Sequence, residues 1–337
     1  MTLHLHGLGH FHPEHEITNR FLEELEIGTD EAWIVDRVGI RSRRTVMPLD
    51  YIRATRNVDP RAGQEAATYD NAEMAARAAR MAIERAGIVL TDIGWVVGGG
   101  SAPDTASPAE ACNVARRLGL EVPSFDVNSA CTSFFVAANL LSRMQPDAMP
   151  RFVLMVVPES LTKTVDYRDR STAVLWGDGA VAAVVSATEP GRAEFIGSTM
   201  HSTPSGADKV VVPRQGFFRQ DGAAVQKFAI KRTVECFEAL RAAHADPARA
   251  WGFVGHQANL RMLESVCRQC EIPPGRHFSN VEHFGNTAAA GAPSVISMRW
   301  DDWTAHDELG VVGVGAGLTW GGYVLRFRHG VTGGKTA

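Results

Sequence analysis

Residues 124–144 read SFDVNSACTSFFVAANLLSRM and place one cysteine, Cys131, between small polar residues and an apolar run. The segment predicts a short strand, a turn and then a helix that starts at the cysteine. A thiol acts as a nucleophile only as the thiolate, and the free N–H groups at a helix N-terminus favour that anion. Because isolated free cysteines are more often small core residues, this stretch alone leaves both interpretations open.

The alternation of strand and helix extends along the chain on both sides of this stretch. NVDPRAGQEA is predicted as a polar loop, and the order of elements predicts an α/β fold with buried sheets. Two similar halves, meeting between residues 185 and 200, fit this order. The predicted strands lie in LHLHGLG, IGWVVGG, SFD, RFVLMVVPES, WGFVG and the two runs of LGVVGVGAGLTWGGYVLRF.

Composition bounds the functional class. The chain has 337 residues and a net charge of -4, which gives no bulk attraction to nucleic acid or an anionic membrane. No apolar run approaches the roughly 20 residues that a membrane span needs, and the first residues lack a signal-peptide pattern. Five scattered cysteines fit free thiols in a reducing compartment. We therefore expect a cytoplasmic protein that binds neither nucleic acid nor membrane.

Two further polar side chains follow predicted strands. His256 comes directly after WGFVG in the turn GHQANL, and Asn286 follows Gly285 in FGNTAAAGAP, where a helix begins. Ligand sites of α/β sheets gather at strand ends. Cys131, His256 and Asn286 together are a candidate nucleophile with two hydrogen-bonding partners, although singly the histidine could be a satisfied turn residue and the asparagine a helix cap.

Several segments, in this order, resemble the ketoacyl-acyl-carrier-protein synthase III family of the thiolase superfamily: DVNSAC before a helix, HQANLRM, HFGNTAAAGAP and GAGLTWGGYVLRF. EAWIVDRVGIRSRR, DRSTAVLWGDGAVAAVV and DGAAVQKFAIK also resemble that family, so the likeness runs from about residue 3 to about residue 327. It implies a thiolase-like five-layered αβαβα fold with two similar halves. Residues 1–190 would carry the cysteine, and residues 191–337 the histidine and asparagine.

The resemblance also implies a chemistry. Cys131 would take an acyl group from acyl-CoA or an acyl carrier protein, with the backbone N–H groups of Cys131 and Ala316 as the oxyanion hole. His256 and Asn286 would hold a malonyl thioester during decarboxylation, and the resulting enolate would attack the acyl group. The family likeness implies a homodimer that needs no cofactor or metal, in fatty-acid or specialised-metabolite biosynthesis.

A basic cluster follows Trp33 in the sequence. The resemblance implies that Trp33, Arg37 and Arg261 lie at the tunnel mouth, where they meet the nucleotide end of coenzyme A or the carrier protein. Arginine suits phosphate because its planar fork bonds two oxygens at once. For Arg43 and Arg44, a solvated basic face is an equally good interpretation.

Three positions depart from the family pattern. SAPDTASPAEAC lacks the phenylalanine that reaches into the partner subunit's acyl pocket, Gln226 stands where phenylalanine is usual, and Ala316 replaces a glycine. None of them belongs to the Cys, His and Asn set. We therefore expect the chemistry to be kept and the primer to differ from acetyl, being longer, branched or aromatic.

The sequence leaves other functions open. One is an acyltransferase of the same fold that forms no C–C bond, and another is a non-catalytic partner subunit; Asn286 argues against the first and the complete polar set against the second. The primer, the choice of CoA or carrier protein, the pathway and a heterodimer also stay open.

The sequence shows no zinc-site pattern. The N-terminal histidines match no closed zinc pattern, and Cys267-x-x-Cys270 lacks the second cysteine pair that a zinc site would need.

Overall fold

A computed structural model describes residues 2–328 as alternating strands and helices, which confirms the α/β class. The strands are β1 (Leu3–Phe11), β2 (His15–Thr18), β3 (Ser42–Thr45), β4 (Ile93–Gly98), β5 (Ser124–Asp126), β6 (Phe152–Glu159), β7 (Gly179–Ser186), β8 (Ala193–Ser202), β9 (Val210–Val211), β10 (Arg219–Gln220), β11 (Ala250–Gly255), β12 (Asp307–Gly315) and β13 (Thr319–Phe327). The helices are α1 (Asn19–Glu24), α2 (Glu31–Val38), α3 (Leu49–Thr55), α4 (Pro60–Ala66), α5 (Asn71–Ala86), α6 (Glu110–Leu118), α7 (Ser133–Leu141), α8 (Arg170–Ala173), α9 (Gly222–His244), α10 (Leu260–Gln269), α11 (Val281–Phe284) and α12 (Gly291–Met298). No helix within these residues is both long and apolar enough to cross a membrane.

One mixed sheet of nine strands joins the two halves of the described chain, in the order β11-β12-β13-β8-β1-β7-β6-β4-β5. Strand β1 pairs antiparallel with β7 on one side, where Leu8 faces Ala183, and with β8 on the other, where Leu5 faces Ala193. Two short ribbons, β2 with β3 and β9 with β10, lie apart from it. The boundary at residue 190 stays a prediction, and residues 1 and 329–337 of the predicted halves lie outside the described residues.

Helices cover the sheet in layers. The alanine-rich α5 packs on β1 and β7, whereas α9 packs on β12 and β13. Between them α7 and α12 contact strands from both halves, and their apolar side chains join one core. The resulting order is the expected five-layered αβαβα arrangement. It brings the N-terminus of α7 and the turn before α12 to the centre of the molecule.

One predicted loop is wrong. NVDPRAGQEA contains α4 rather than a continuous polar loop. Asp59 caps this helix, its Oδ1 accepting the Arg61 N–H at 3.0 Å, and Pro60 occupies the first turn, where a missing N–H costs nothing. The polar composition suggested a loop, although the Asp-Pro pair is typical of the start of a helix.

Close packing of α5 on β1 depends on glycine. A Cβ at Gly9 would lie 2.0 Å from the Ala78 carbonyl oxygen and 2.7 Å from the Ala82 nitrogen, both backbone atoms. We expect Gly9→Ala to lower stability by roughly 1–3 kcal/mol or more, because the helix must move off the strand. Apparent melting temperature by circular dichroism measures it. Gly222→Ala is the matched control, since its nearest contact would be 3.9 Å away; equal melting of both variants and the parent protein would contradict this packing.

Candidate active site

Cys131 lies in a tight turn, residues 130–132, that leads directly into α7. Ala130 in this turn has φ of 47°, a conformation that residues with a side chain seldom adopt. Two hydrogen bonds hold it: Ala130 N–H donates to Asn128 Oδ1 at 3.0 Å, and Ser133 Oγ–H donates to the Ala130 carbonyl at 2.7 Å. Gly315 lets β12 approach, since a Cβ there would lie 3.1 Å from Cys131 Cβ.

Burial outweighs the helix N-terminus at the thiol. The pKa of Cys131 is raised to about 12, first because the side chain is buried and second because of the nearby Glu159 carboxylate. Hydrogen bonds from the Ser101 side chain and from the backbone N–H groups of Cys131 and Ala316 act in the opposite direction. The resting thiol is therefore protonated at neutral pH, and two backbone donors already face the sulfur.

His256 directly follows β11 and is buried. Its backbone N–H donates to the Val312 carbonyl at 2.8 Å, which fixes the turn against β12. Burial lowers the pKa of its imidazole to about 4. The ring is therefore neutral at physiological pH and offers one N–H donor and one acceptor nitrogen.

Asn286 lies in the turn between α11 and α12, after Gly285, whose φ is 66°. Its backbone N–H donates to the Leu175 carbonyl at 2.8 Å, and its own carbonyl accepts the Gly177 N–H at 3.0 Å. The side-chain Oδ1 accepts the Ala288 N–H at 2.9 Å. This bond assigns the amide orientation, so the side-chain NH2 is the group left to act as a donor.

Cys131, His256 and Asn286 line one cavity of about 450 Å³. Three other predicted site residues, Trp33, Arg37 and Ala316, line the same cavity. The chain brings them together from α2, the start of α7, the ends of β11 and β12, and the turn before α12. The cavity thus holds a thiol, two neutral side-chain donors and backbone N–H groups in one place.

Arg261 is held differently. Its guanidinium donates to the carbonyls of Val35 and Asp36, at 2.9 and 3.0 Å, and pairs with Glu264 at 3.0 Å. It lies outside the set of described residues that line the cavity. Arg261 therefore supports the C-terminal turn of α2, the helix that carries Trp33 and Arg37.

Arg43 does not belong to a solvated basic face. Its side chain is fully buried, and it donates to the Val174 carbonyl at 2.6 Å and to Asn19 Oδ1 at 2.6 Å. Burial lowers the pKa of its guanidinium to about 9. Arg170, by contrast, lines the cavity with Cys131, and its guanidinium lies 4.9 Å from the ring centre of Trp33.

Comparison with known proteins decides the family. Residues 125–204 match the model of 3-oxoacyl-[acyl-carrier-protein] synthase III, and residues 240–327 match the model of its C-terminal part. The synthase III from Pseudomonas aeruginosa PAO1 is 30% identical, with 98% of this chain and 100% of that one covered and a TM-score of 0.83. The chain belongs to the 3-oxoacyl-acyl-carrier-protein synthase III family. This confirms the resemblance inferred from the motifs.

Two further solved structures agree. The synthase III from Aquifex aeolicus VF5 is 28% identical over 96% of this chain and 100% of that one, with a TM-score of 0.84. The priming β-ketosynthase of the R1128 polyketide pathway is 27% identical over 97% and 96%, with a TM-score of 0.81. The family consists of ketoacyl synthases, thiolase-fold transferases of fatty-acid and polyketide biosynthesis.

The three departures from the synthase III pattern all lie at cavities. Gln226 and Ala316 line the cavity with Cys131, and Ala316 keeps its backbone donor toward the sulfur. Residues 101–106, where the phenylalanine is lacking, line a second cavity of about 940 Å³. Ser101 connects the two regions, because its Oγ lies 3.9 Å from Cys131 Sγ.

Two residues beside the thiol, Ser101 and Glu159, were not among those predicted from the sequence. Glu159 ends β6 and has no exposed surface, and its carboxylate accepts hydrogen bonds from Ser101. The available signal was a lone acidic residue at the end of the apolar run RFVLMVVPES. Within residues 2–328, no group of three metal-binding side chains forms, in the N-terminal histidines or elsewhere.

Proposed function

We propose that this synthase III family member is a decarboxylating condensing enzyme that loads an acyl group on Cys131. The main support is that a thiol, a neutral imidazole and an oriented asparagine amide line one cavity, beside two backbone N–H groups directed at the sulfur. A scaffold subunit has no need of this set. An acyltransferase to oxygen or nitrogen has no enolate for Asn286 to stabilise.

In the first half-reaction, Cys131 Sγ attacks the carbonyl carbon of an acyl thioester. The C–S bond to the carrier breaks, and the departing thiolate receives the proton that the Cys131 thiol gives up. The oxyanion that forms meanwhile accepts from the N–H groups of Cys131 and Ala316, in an oxyanion hole that needs no side chain. The buried thiol needs such help because its pKa is about 12.

In the second half-reaction, His256 N–H and the Asn286 NH2 donate to the thioester oxygen of a malonyl unit. Loss of CO2 leaves an electron pair as an enolate, whose oxygen both donors stabilise. The enolate carbon then forms a bond to the acyl carbon on Cys131, and the thiolate leaves and is reprotonated. Positioned donors of this kind contribute roughly 3 kcal/mol each.

Cavity chemistry supports a primer other than acetyl. Apolar side chains make up much of the wall around Cys131, and Trp33 and Arg37 lie in its lining. We propose a longer, branched or aromatic acyl chain delivered by CoA or an acyl carrier protein, with Arg37 and Trp33 meeting the carrier's phosphate-bearing end. The apolar lining residues include Val174, Leu175, Trp176, Val210, Phe218 and Met262.

Intact-protein mass spectrometry tests this function. The protein is mixed with individual acyl-CoAs and then with malonyl-carrier protein. We expect one acyl mass to load and then to leave with CO2 and a β-ketoacyl product. Loading without discharge by malonyl thioesters would favour the acyltransferase, and no loading from any acyl donor would contradict an enzyme with Cys131 as nucleophile. Preferential loading of acetyl would contradict the proposed primer.

We also propose a homodimer. Strand β5 is the last strand of the sheet within the described residues, and Phe125 on it is 40% exposed. An unpaired edge with an exposed aromatic side chain is suited to pairing with a second copy.

We expect a dimer mass by light scattering and a shift toward monomer in Phe125→Lys. Val89→Lys, at a 62% exposed position outside β5, is the matched control. A monomeric parent protein would contradict the proposal. The cytoplasmic location stays a prediction.

The pH profile of malonyl decarboxylation reports on His256. Its folded pKa of about 4 lies below the ordinary 6.5, so the ring stays a neutral donor as pH falls from 8 to 5. We expect a flat rate over that range, measured as CO2 release. Because the unfolded histidine takes up its proton from about pH 6.5 downward, this residue also costs stability between pH 6.5 and 4, and circular dichroism at each pH controls for unfolding. A fall with a midpoint near 6.5 in folded protein would contradict a neutral role.

A further inference from the structure

Glu159 connects two parts of the active site that are far apart in the sequence. Its Oε1 accepts from Ser101 N–H at 3.0 Å, Ser101 Oγ–H at 3.1 Å and Ala289 N–H at 3.1 Å. Its Oε2 accepts from Ser101 N–H at 2.9 Å. A buried carboxylate with only backbone and hydroxyl donors is costly, so these bonds must compensate for its burial.

Each of these bonds leads to a reacting group. On one side, Ser101 Oγ lies 3.9 Å from Cys131 Sγ. On the other side, Ala289 belongs to the turn of residues 288–290, whose first N–H holds Asn286 Oδ1 at 2.9 Å. One carboxylate thus fixes a neighbour of the nucleophile and the turn that orients the asparagine amide.

The loop that carries Ser101 depends on its contact with Glu159. Gly100 has φ of 154°, and a Cβ there would lie 2.9 Å from the Pro158 carbonyl oxygen and 3.6 Å from the Glu159 carboxyl carbon. The loop therefore lies directly on the end of β6. Movement of Glu159 would release Ser101 and, through it, the space beside the thiol.

We propose that Glu159 is a positioning residue for both half-reactions, holding Ser101 against Cys131 and the 288–290 turn under Asn286. This rests on the function proposed above. Glu159 lies outside the linings of both cavities described above, so it acts through Ser101 and the 288–290 turn. Misplacing reacting groups by about 1 Å costs on the order of 10²-fold in rate, which sets the expected size of the effect.

The charge of Glu159 gives a separate signature. Burial raises the pKa of this carboxyl to about 8, and the Asp178 carboxylate adds to the rise. The titratable or charged groups around it are the Cys131 thiol, Asp178 directly before β7 and Lys163 after β6. The Lys163 ammonium acts on Asp178 and pairs with Asp104. Above pH 8 the carboxylate opposes ionisation of Cys131.

Two substitutions separate position from charge. Glu159→Gln keeps an acceptor oxygen but removes the charge, whereas Glu159→Ala leaves the donors of Ser101 and Ala289 unpaired. We expect Glu159→Ala to lose on the order of 10²-fold in kcat for loading by the best acyl-CoA and for malonyl decarboxylation, with KM within threefold. Glu159→Gln should stay within tenfold of the parent protein. Glu308→Gln, a buried acid paired with Arg326, is the matched control for loss of a buried carboxylate.

Alkylation of Cys131 by iodoacetamide tests the charge without any condensing activity. We expect Glu159→Gln to react roughly tenfold faster than the parent protein at pH 9 and at a similar rate at pH 7. A parent protein that alkylates as expected but never condenses would overturn the proposed function and leave the effect on the thiol standing. Glu159→Ala within threefold of the parent in both half-reactions would overturn the positioning role. So would equal kinetic losses in Glu159→Gln, Glu159→Ala and Glu308→Gln.

Discussion

Replacing Cys131 by alanine is expected to abolish covalent loading and to lower condensation by a factor on the order of 10⁴ to 10⁶, because the acyl acceptor is gone. Decarboxylation of malonyl-CoA should survive, since His256 and Asn286 remain in the cavity. Intact mass after incubation with acyl-CoA measures loading, and release of CO2 measures decarboxylation. The variant therefore separates the two half-reactions in one protein.

Cys236→Ala is the matched control for removal of a thiol. Cys236 is also buried, lies 3.6 Å from Thr199 Oγ1, and has its pKa raised by burial. We expect it to load and condense as the parent protein does. An acyl adduct that persists in Cys131→Ala but disappears in Cys236→Ala would identify Cys236 as the nucleophile and contradict the assignment to Cys131.

Replacing Asn286 by alanine is expected to lower decarboxylation and condensation by on the order of 10² to 10³-fold while loading of Cys131 continues. The reason is the direction of the amide: Oδ1 is held by the Ala288 N–H, which leaves the NH2 for the enolate oxygen. Rapid-mixing mass spectrometry measures loading, and CO2 release under the same conditions measures the second step.

Asn286→Asp distinguishes a donor from a structural cap. Aspartate keeps an acceptor for the Ala288 N–H but replaces the NH2 with a second oxygen, which repels an enolate. We expect Asn286→Asp to be as impaired in decarboxylation as Asn286→Ala, or more so. Near-normal decarboxylation in the aspartate variant would mean that Asn286 only holds its turn.

The strands that carry the site could be predicted because each is a short apolar run bounded by turn residues. The motif order then identified the family, and the structure brings Cys131, His256 and Asn286 into one cavity. Ser101 and Glu159 could not be found this way. They are 30 and 28 residues from the cysteine, and apart from the lone acidic residue that ends RFVLMVVPES no local pattern marks them; hydrogen bonds between distant segments bring them to it.

The arginines show the same limit. Charge density in IRSRR fits a basic surface, one of the two interpretations left open, yet Arg43 is buried against the Val174 carbonyl because β3 turns that side chain inward. Arg261 holds the end of α2, and its place at the tunnel mouth stays a prediction. Sequence gives the residue type, whereas the direction of a long side chain depends on neighbours that come from elsewhere in the chain.

The central position of β1 has a consequence for the order of folding. This strand is synthesised well before its partners in β7 and β8, because its Leu8 pairs with Ala183, far along the chain. Closing so long a loop is entropically costly and slow. Until then β1 is an apolar strand with two open edges that other chains can pair with. Joining of the two halves is therefore a late event, and the nascent protein needs protection from aggregation until it occurs.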